Sequence, residues 1–334
     1  MQRKFSYPVL LTVAVCLSVL SASAKVWRVN NNGGVSANFA TFTAAVTSSN
    51  VSNGDTLYLE GSATPYNGTL SKKLVIIGSG YYLSGASSNP GLQANSSNSS
   101  FNNLIIDSAG SGSTLIGIEA YLRIYPGTDN ITLTRSSIYL DAYNDFGYQM
   151  DNLTINKCVL GIAIANTARM NNLTITNCIL NRNFNVSGAI SGLIRNNVIL
   201  GALTAANCYF SNNIFSGTTS LSTATNCVFK YNISVYNNVL PAGNNNQNNV
   251  PEANIFVGTG SSDGKYQLKA GSPALGAGEP VNGITPDCGI FGTADPYKLS
   301  GIPSIPTIYS LTAPTSVPSS ATSMTVTIST RSNN

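Results

Sequence analysis

The strongest constraint in this chain is a repeat of about 20 residues. Leu153-Thr154-Ile155-Asn156-Lys157-Cys158-Val159-Leu160 returns 20 residues later as Leu173-Thr174-Ile175-Thr176-Asn177-Cys178-Ile179-Leu180. Ile194-Arg195-Asn196-Asn197-Val198-Ile199 continues it at an offset of 19, and Asn207-Cys208-Tyr209-Phe210 matches Asn226-Cys227-Val228-Phe229 at 19 again. Upstream, Asn130-Ile131-Thr132-Leu133 precedes Asn152-Leu153-Thr154-Ile155 by 22. Within each unit Leu-Thr-Ile alternates apolar and polar, so two side chains point inward and the threonine outward on a short strand. Asparagine then turns the chain, because it tolerates left-handed backbone angles. Two or three short strands per unit, without helical periodicity or room for a crossover helix, predict an all-β, single-stranded parallel β-helix in which each rung pairs with the next. Leucine-rich repeats need their own leucine spacing, and propeller blades need units nearer 40 residues.

Charge fits this geometry. Only 9% of the 334 residues are Asp, Glu, Lys or Arg, against about 25% in an ordinary soluble domain. Outward positions on stacked strands are filled by Thr, Ser and Asn instead. Histidine is absent, which excludes a histidine triad, a Cys/His zinc site and a histidine general base. The net charge is +4, and Arg3 and Lys4 lie in a leader, so no nucleic-acid footprint remains.

Residues 1–24 read as a signal peptide: a basic start, an apolar run from Val9 to Leu20, and Ala22-Ser23-Ala24 before cleavage. The expectation is a secreted or cell-surface protein with no transmembrane segment after cleavage. Cysteines 158, 178, 208, 227 and 288 remain. The first four share repeat contexts, so they read as buried thiols of the rungs rather than a disulfide framework. Five is an odd number, so at least one is unpaired unless it pairs between chains; a monomer is expected.

The repeat fails at both ends, where terminal rungs need covers. Phe39-Ala40-Thr41-Phe42-Thr43-Ala44-Ala45-Val46 has helical spacing, followed by Gly54-Asp55-Thr56 and by Lys72-Lys73-Leu74-Val75-Ile76-Ile77-Gly78. One of the two lysines is expected to snorkel. Near the other end stand Lys269-Ala270-Gly271-Ser272-Pro273-Ala274-Leu275-Gly276 and Asp287-Cys288-Gly289-Ile290-Phe291-Gly292. These phrases resemble the opening and closing segments of the right-handed parallel β-helix (pectate-lyase-like) superfamily, which contains pectin esterases, pectate lyases and many uncharacterised secreted bacterial proteins. The resemblance implies right-handed coiling and a helical N-terminal cap at about 39–49. The expected organisation is a cap with first strands over 25–70, rungs over 71–258, a C-terminal cap over 259–300 and a terminal strand arm over 301–334.

Two places invite chemistry. The acidic, tyrosine-rich stretch 139–151 offers Asp141 and Asp145 as paired carboxylates or weak calcium ligands, and Tyr139, Tyr143 and Tyr148 as stacking surfaces for sugar rings. Its bland reading is a polar loop. The second is Arg135, which aligns with Lys157 in a column continuing as Asn177 and Asn196. Two cations on adjacent rungs, about 4.8 Å apart, would attract a uronate carboxylate or lower the lysine toward a base; otherwise they are a solvated pair on a turn. No complete catalytic set of the pectin esterases or lyases is present. The function expected is therefore non-catalytic polysaccharide binding or adhesion, with no cofactor unless calcium, and the alternative is a lyase or hydrolase of an acidic polysaccharide. Asparagine ladders between rungs are expected to be structural.

Overall fold

The computed structural model describes residues 24–86, 88–142, 149–162, 169–217 and 221–333. Residues 1–23 of the expected leader lie outside them. The chain coils into a parallel β-solenoid of about 8 turns. Its first face is a ten-stranded sheet running from Val26–Val29 through Thr132–Thr134, Thr154–Asn156 and Leu173–Thr176 to Val228–Lys230. The second is nine-stranded and runs from Tyr66–Leu70 through Glu119–Ile124, Ser137–Ala142 and Val159–Ile162 to Ile233–Ser234. A third face is built in short pieces, Gln149–Asp151 with Arg169–Asn171, then Phe184–Val186, Leu203–Ala206 and Leu221–Thr225.

The alternation sets the core. Trp27, Leu57, Ile76, Leu115, Leu133, Ile155, Ile175, Ile194, Phe210 and Phe229 stand in one inward column of the first face. All except Trp27 are buried. Each Leu or Ile so sealed contributes about 1.5–3 kcal/mol, and the column ends in the stacked rings of Phe210 and Phe229, 4.7 Å apart.

Between the first and second faces the chain turns through one left-handed residue per rung: Arg135 (φ 49), Lys157 (φ 54), Asn177 (φ 54), Asn196 (φ 56), Asn212 (φ 58) and Tyr231 (φ 54). The next position points inward and forms a ladder. The Asn197 side-chain amide donates to Asn213 Oδ1 at 2.9 Å, Asn213 to Asn232 at 3.0 Å, and Asn232 to Asn246 at 3.1 Å. Each Oδ1 also accepts the backbone N–H of the rung before it. A second, exposed ladder joins Asn130, Asn152 and Asn172 at the turn entering the first face, at 2.9 and 2.7 Å. Both ladders satisfy polar groups that close rung stacking removes from water.

A short helix, Phe42–Thr47, covers the first rung. The Thr41 hydroxyl accepts the Ala44 N–H, and Phe42, Ala45 and Val46 face the core, Phe42 edge-on to Phe101 at 5.0 Å. The Lys72 ammonium donates to the carbonyls of Ser48 and Val51 just past the helix, and the stem of Lys73 lies along Gly112.

Beyond the last rung the chain doubles back. Ile255, Phe256, Tyr266, Ala274, Cys288, Ile290 and Tyr297 pack on the outside of the second face. Residues 279–303 then run as a strap up the corner of left-handed turns, and a hairpin, Thr307–Thr312 with Thr327–Arg331, follows. The hairpin is tied to the 92–94 loop by Ala94 N to Ile308 O and Arg331 to Leu92 O, both 2.8 Å. Among the described residues no helix is long and apolar enough to cross a membrane.

Candidate functional site

One outward column of the second face changes character along its length. Ser100, Glu119 and Ser137 lead into Val159, Ile179, Val198, Ile214 and Ile233, each paired with the next. The five apolar members are buried beneath the returning C-terminal segment. The three polar ones are not, and with Phe101, Asn102, Ala120, Tyr121 and Tyr139 they line a shallow cavity of about 460 Å³. Along this column the described residues that meet solvent are therefore those of the N-terminal rungs.

The neighbouring outward column on those rungs is Tyr121, Tyr139 and Gly161. In-register pairing stacks the two phenol rings at 5.2 Å, only 15° from parallel. Gly161 leaves the next place empty, and the Arg182 guanidinium fills it, 5.4 Å from the Tyr139 ring centre. A Cβ on Gly161 would sit 3.0 Å from the Arg182 stem and 3.3 Å from the Tyr139 ring. Two residues further along the strands, Arg123 pairs with Asp141. The Tyr121 hydroxyl donates to Asp141 Oδ2 at 2.9 Å, Arg123 Nε approaches the same oxygen at 3.4 Å, and the Arg123 guanidinium lies 5.3 Å from the Tyr121 ring centre. The Tyr121 hydroxyl first, and Asp141 with it, holds the Arg123 guanidinium above its ordinary range. At the far edge of the cavity Asn98 donates to Glu119 Oε2 at 2.9 Å.

Of the expected site residues, Tyr139 and Asp141 belong to this cluster. Tyr143, Asp145 and Tyr148 lie outside the described residues, as does any calcium site using Asp145. Among the described residues no three His, Cys, Asp or Glu side chains group as metal ligands. Tyr121, Arg123 and Arg182 escaped the sequence reading because the first two stand one rung before the 139–151 stretch and the third two rungs after Tyr139.

Arg135 and Lys157 do stand in one column, but the strap covers them. Both are buried. Arg135 donates to the carbonyls of Ile302 and Asn333 at 2.9 and 3.3 Å, and Lys157 pairs with Asp295. Burial lowers the Arg135 guanidinium from its usual range, with Asp295 opposing. The column continues the same way: Asn177 donates to Ile290 O and Thr293 Oγ1, and Asn196 to Asp287 O and Gly289 O; next to Asn196, Arg195 pairs with Glu279 at 2.8 Å. These side chains hold the C-terminal segment, Arg135 and Lys157 buried beneath it, while Arg195 and Asn196 also line a shallow cavity of about 460 Å³ beside Val281 and Ile284.

Another cavity, about 590 Å³, lies at the C-terminal end among Glu252, Phe256, Lys265, Tyr266 and Lys269. The Lys269 ammonium is engaged by Ala253 O and the Glu252 carboxylate by Ser216.

No family model, no curated protein and no solved structure matches this chain.

Proposed function

We propose that this chain is a secreted or cell-surface β-helix that binds a polysaccharide without transforming it, through the open N-terminal rungs of its second face. The observation that carries this reading is the Tyr121–Tyr139–Arg182 stack beside Arg123 and Asp141, on the stretch of that face the C-terminal segment leaves bare. Sheet positions hold Tyr121, Arg123, Tyr139 and Asp141 rigidly, so little of their side-chain freedom is lost when a ligand docks. Planar guanidinium donors, carboxylate acceptors and aromatic edges are the set that recognises a sugar's hydroxyls and C–H faces. Two cations, Arg123 and Arg182, stand against two anions, Glu119 and Asp141, so the local charge selects a neutral glycan over a polyanion. Export rests on the leader-like character of residues 1–24.

The enzymatic alternative, a lyase or hydrolase of an acidic polysaccharide, finds less support. Its cation pair, Arg135 and Lys157, lies under the strap, and the Asp141 carboxylate is engaged by Tyr121 and Arg123.

Affinity electrophoresis through gels containing neutral or acidic polysaccharides tests the reading. Retardation by a neutral polysaccharide is expected, abolished in Tyr121→Ala/Tyr139→Ala protein of unchanged circular dichroism. No retardation by any polysaccharide, or retardation that survives the double substitution, would refute it. New reducing ends or unsaturated products would turn the assignment toward catalysis.

A further inference from the structure

Four of the five cysteines beyond residue 24 fall into two stacked pairs, and the pairs differ in one respect. Cys158 and Cys178 occupy adjacent rungs and are both fully buried. Their thiols donate to the carbonyls of Asn156 and Thr176, each at 3.2 Å. Cys208 and Cys227 also occupy adjacent rungs, since Tyr209 pairs with Val228 one residue further on. Here Cys208 is buried, while Cys227 is only partly covered. On its other side Cys208 faces Gly192, where a Cβ would lie 2.6 Å from its Sγ. Cys227 is thus the one side chain stacked on Cys208 in this column.

We propose that Cys208 and Cys227 form a dithiol that small disulfides oxidise to an inter-rung disulfide. Adjacent rungs stand about 4.8 Å apart, inside the Cα separation of about 4.4–6.8 Å that a disulfide spans. The order of events follows from exposure. The Cys227 thiolate attacks one sulfur of a low-molecular-weight disulfide, the S–S bond breaks, and one thiolate leaves, giving a mixed disulfide on Cys227. The Cys208 sulfur, its proton passing to solvent, then attacks the Cys227 sulfur and expels the second thiolate. Two protein thiols are oxidised, the small disulfide is reduced to two thiols, and the two protons end on those leaving groups. The Cys208 and Cys227 thiols donate to the carbonyls of Ala206 and Thr225; the neighbouring Cys227 sulfur, with burial, pushes Cys208 up, and the neighbouring Cys208 holds Cys227 below the ordinary thiol range, partial burial opposing, which suits Cys227 to the attacking role. The Cys158–Cys178 pair has no such entry, and burial raises Cys178 far above the ordinary range.

The folded full chain, reduced and then incubated with glutathione disulfide, is quenched with a maleimide and read by intact mass and peptide mapping. Expected is a loss of about 2 Da, two fewer alkylated thiols, and a crosslinked peptide containing Cys208 and Cys227. Cys208→Ser is expected to retain glutathione on Cys227, because nothing resolves the mixed disulfide, and Cys227→Ser to leave Cys208 reduced. Persistent glutathione on wild-type Cys227, no reaction at all, or oxidation at Cys158 and Cys178 instead would overturn the proposal. The wild-type map decides the matter even where a serine variant fails to fold.

Discussion

The second face carries one column that behaves as two surfaces. On its N-terminal rungs Ser100, Glu119 and Ser137 meet solvent; on the rungs that follow, Val159, Ile179, Val198, Ile214 and Ile233 meet the C-terminal segment. The backbone is the same ladder throughout. What differs is the third layer that the returning chain lays over half of it, and the half left bare is where tyrosine, arginine and aspartate accumulate. A solenoid has a long, regular outside, and the proposed glycan surface lies where that outside departs from both the repeat and the covering.

The largest effect should separate these halves directly. Ile214→Ala removes a fully buried side chain and should cost about 2–5 kcal/mol in chemical denaturation, whereas Ser137→Ala, in the same column, should stay within about 0.5 kcal/mol. Equal costs would mean that the C-terminal segment does not pack as described. Next comes the interior ladder. Asn213→Leu strips the Asn197 side-chain amide and backbone N–H of their acceptor and should cost on the order of 2–3 kcal/mol, while Asn152→Ala in the exposed ladder should cost under about 1 kcal/mol.

On the bare half, Arg182→Ala should weaken retention by a neutral polysaccharide about tenfold, equivalent to ~1.4 kcal/mol, with the melting temperature unchanged. Gly161→Ala, which crowds Arg182 off the Tyr139 ring, should weaken retention in the same direction by less. A melting temperature that falls while binding holds would recast the stack as purely structural.

The smallest effect concerns the strap. Lys157, foremost, holds the Asp295 carboxylate below its ordinary value of 3.8. A carboxylate depressed in the folded state adds stability above that ordinary value and loses it as the pH falls through the folded one. Wild-type protein should therefore lose slightly more stability than Asp295→Asn between neutral pH and pH 3. Asp295 is 72% exposed, so the difference should stay below about 1 kcal/mol.

Much of the architecture was legible in the chain. The alternation of Leu153-Thr154-Ile155 and its returns predicted which residues point inward, and Asn177, Asn196 and Asn212 predicted the turn on their rungs, whereas Arg135, Lys157 and Tyr231 take the same left-handed place on others. The alignment of Arg135 with Lys157 was also correct as a register. Its environment was not legible, because the strap that buries both residues comes from more than a hundred positions away. Tyr139 and Asp141 stood out by local composition. Tyr121, Arg123 and Arg182 did not, since what joins them to Tyr139 and Asp141 is stacking between rungs.

By itself, then, the sequence determined the parallel β-helix and its inward columns, because side-chain alternation and left-handed turn residues are local properties that repeat with every rung. The tertiary structure alone decided which outward columns are covered and which cations are tethered. Those outcomes depend on where the C-terminal segment lies once it folds back, and no local periodicity encodes that path.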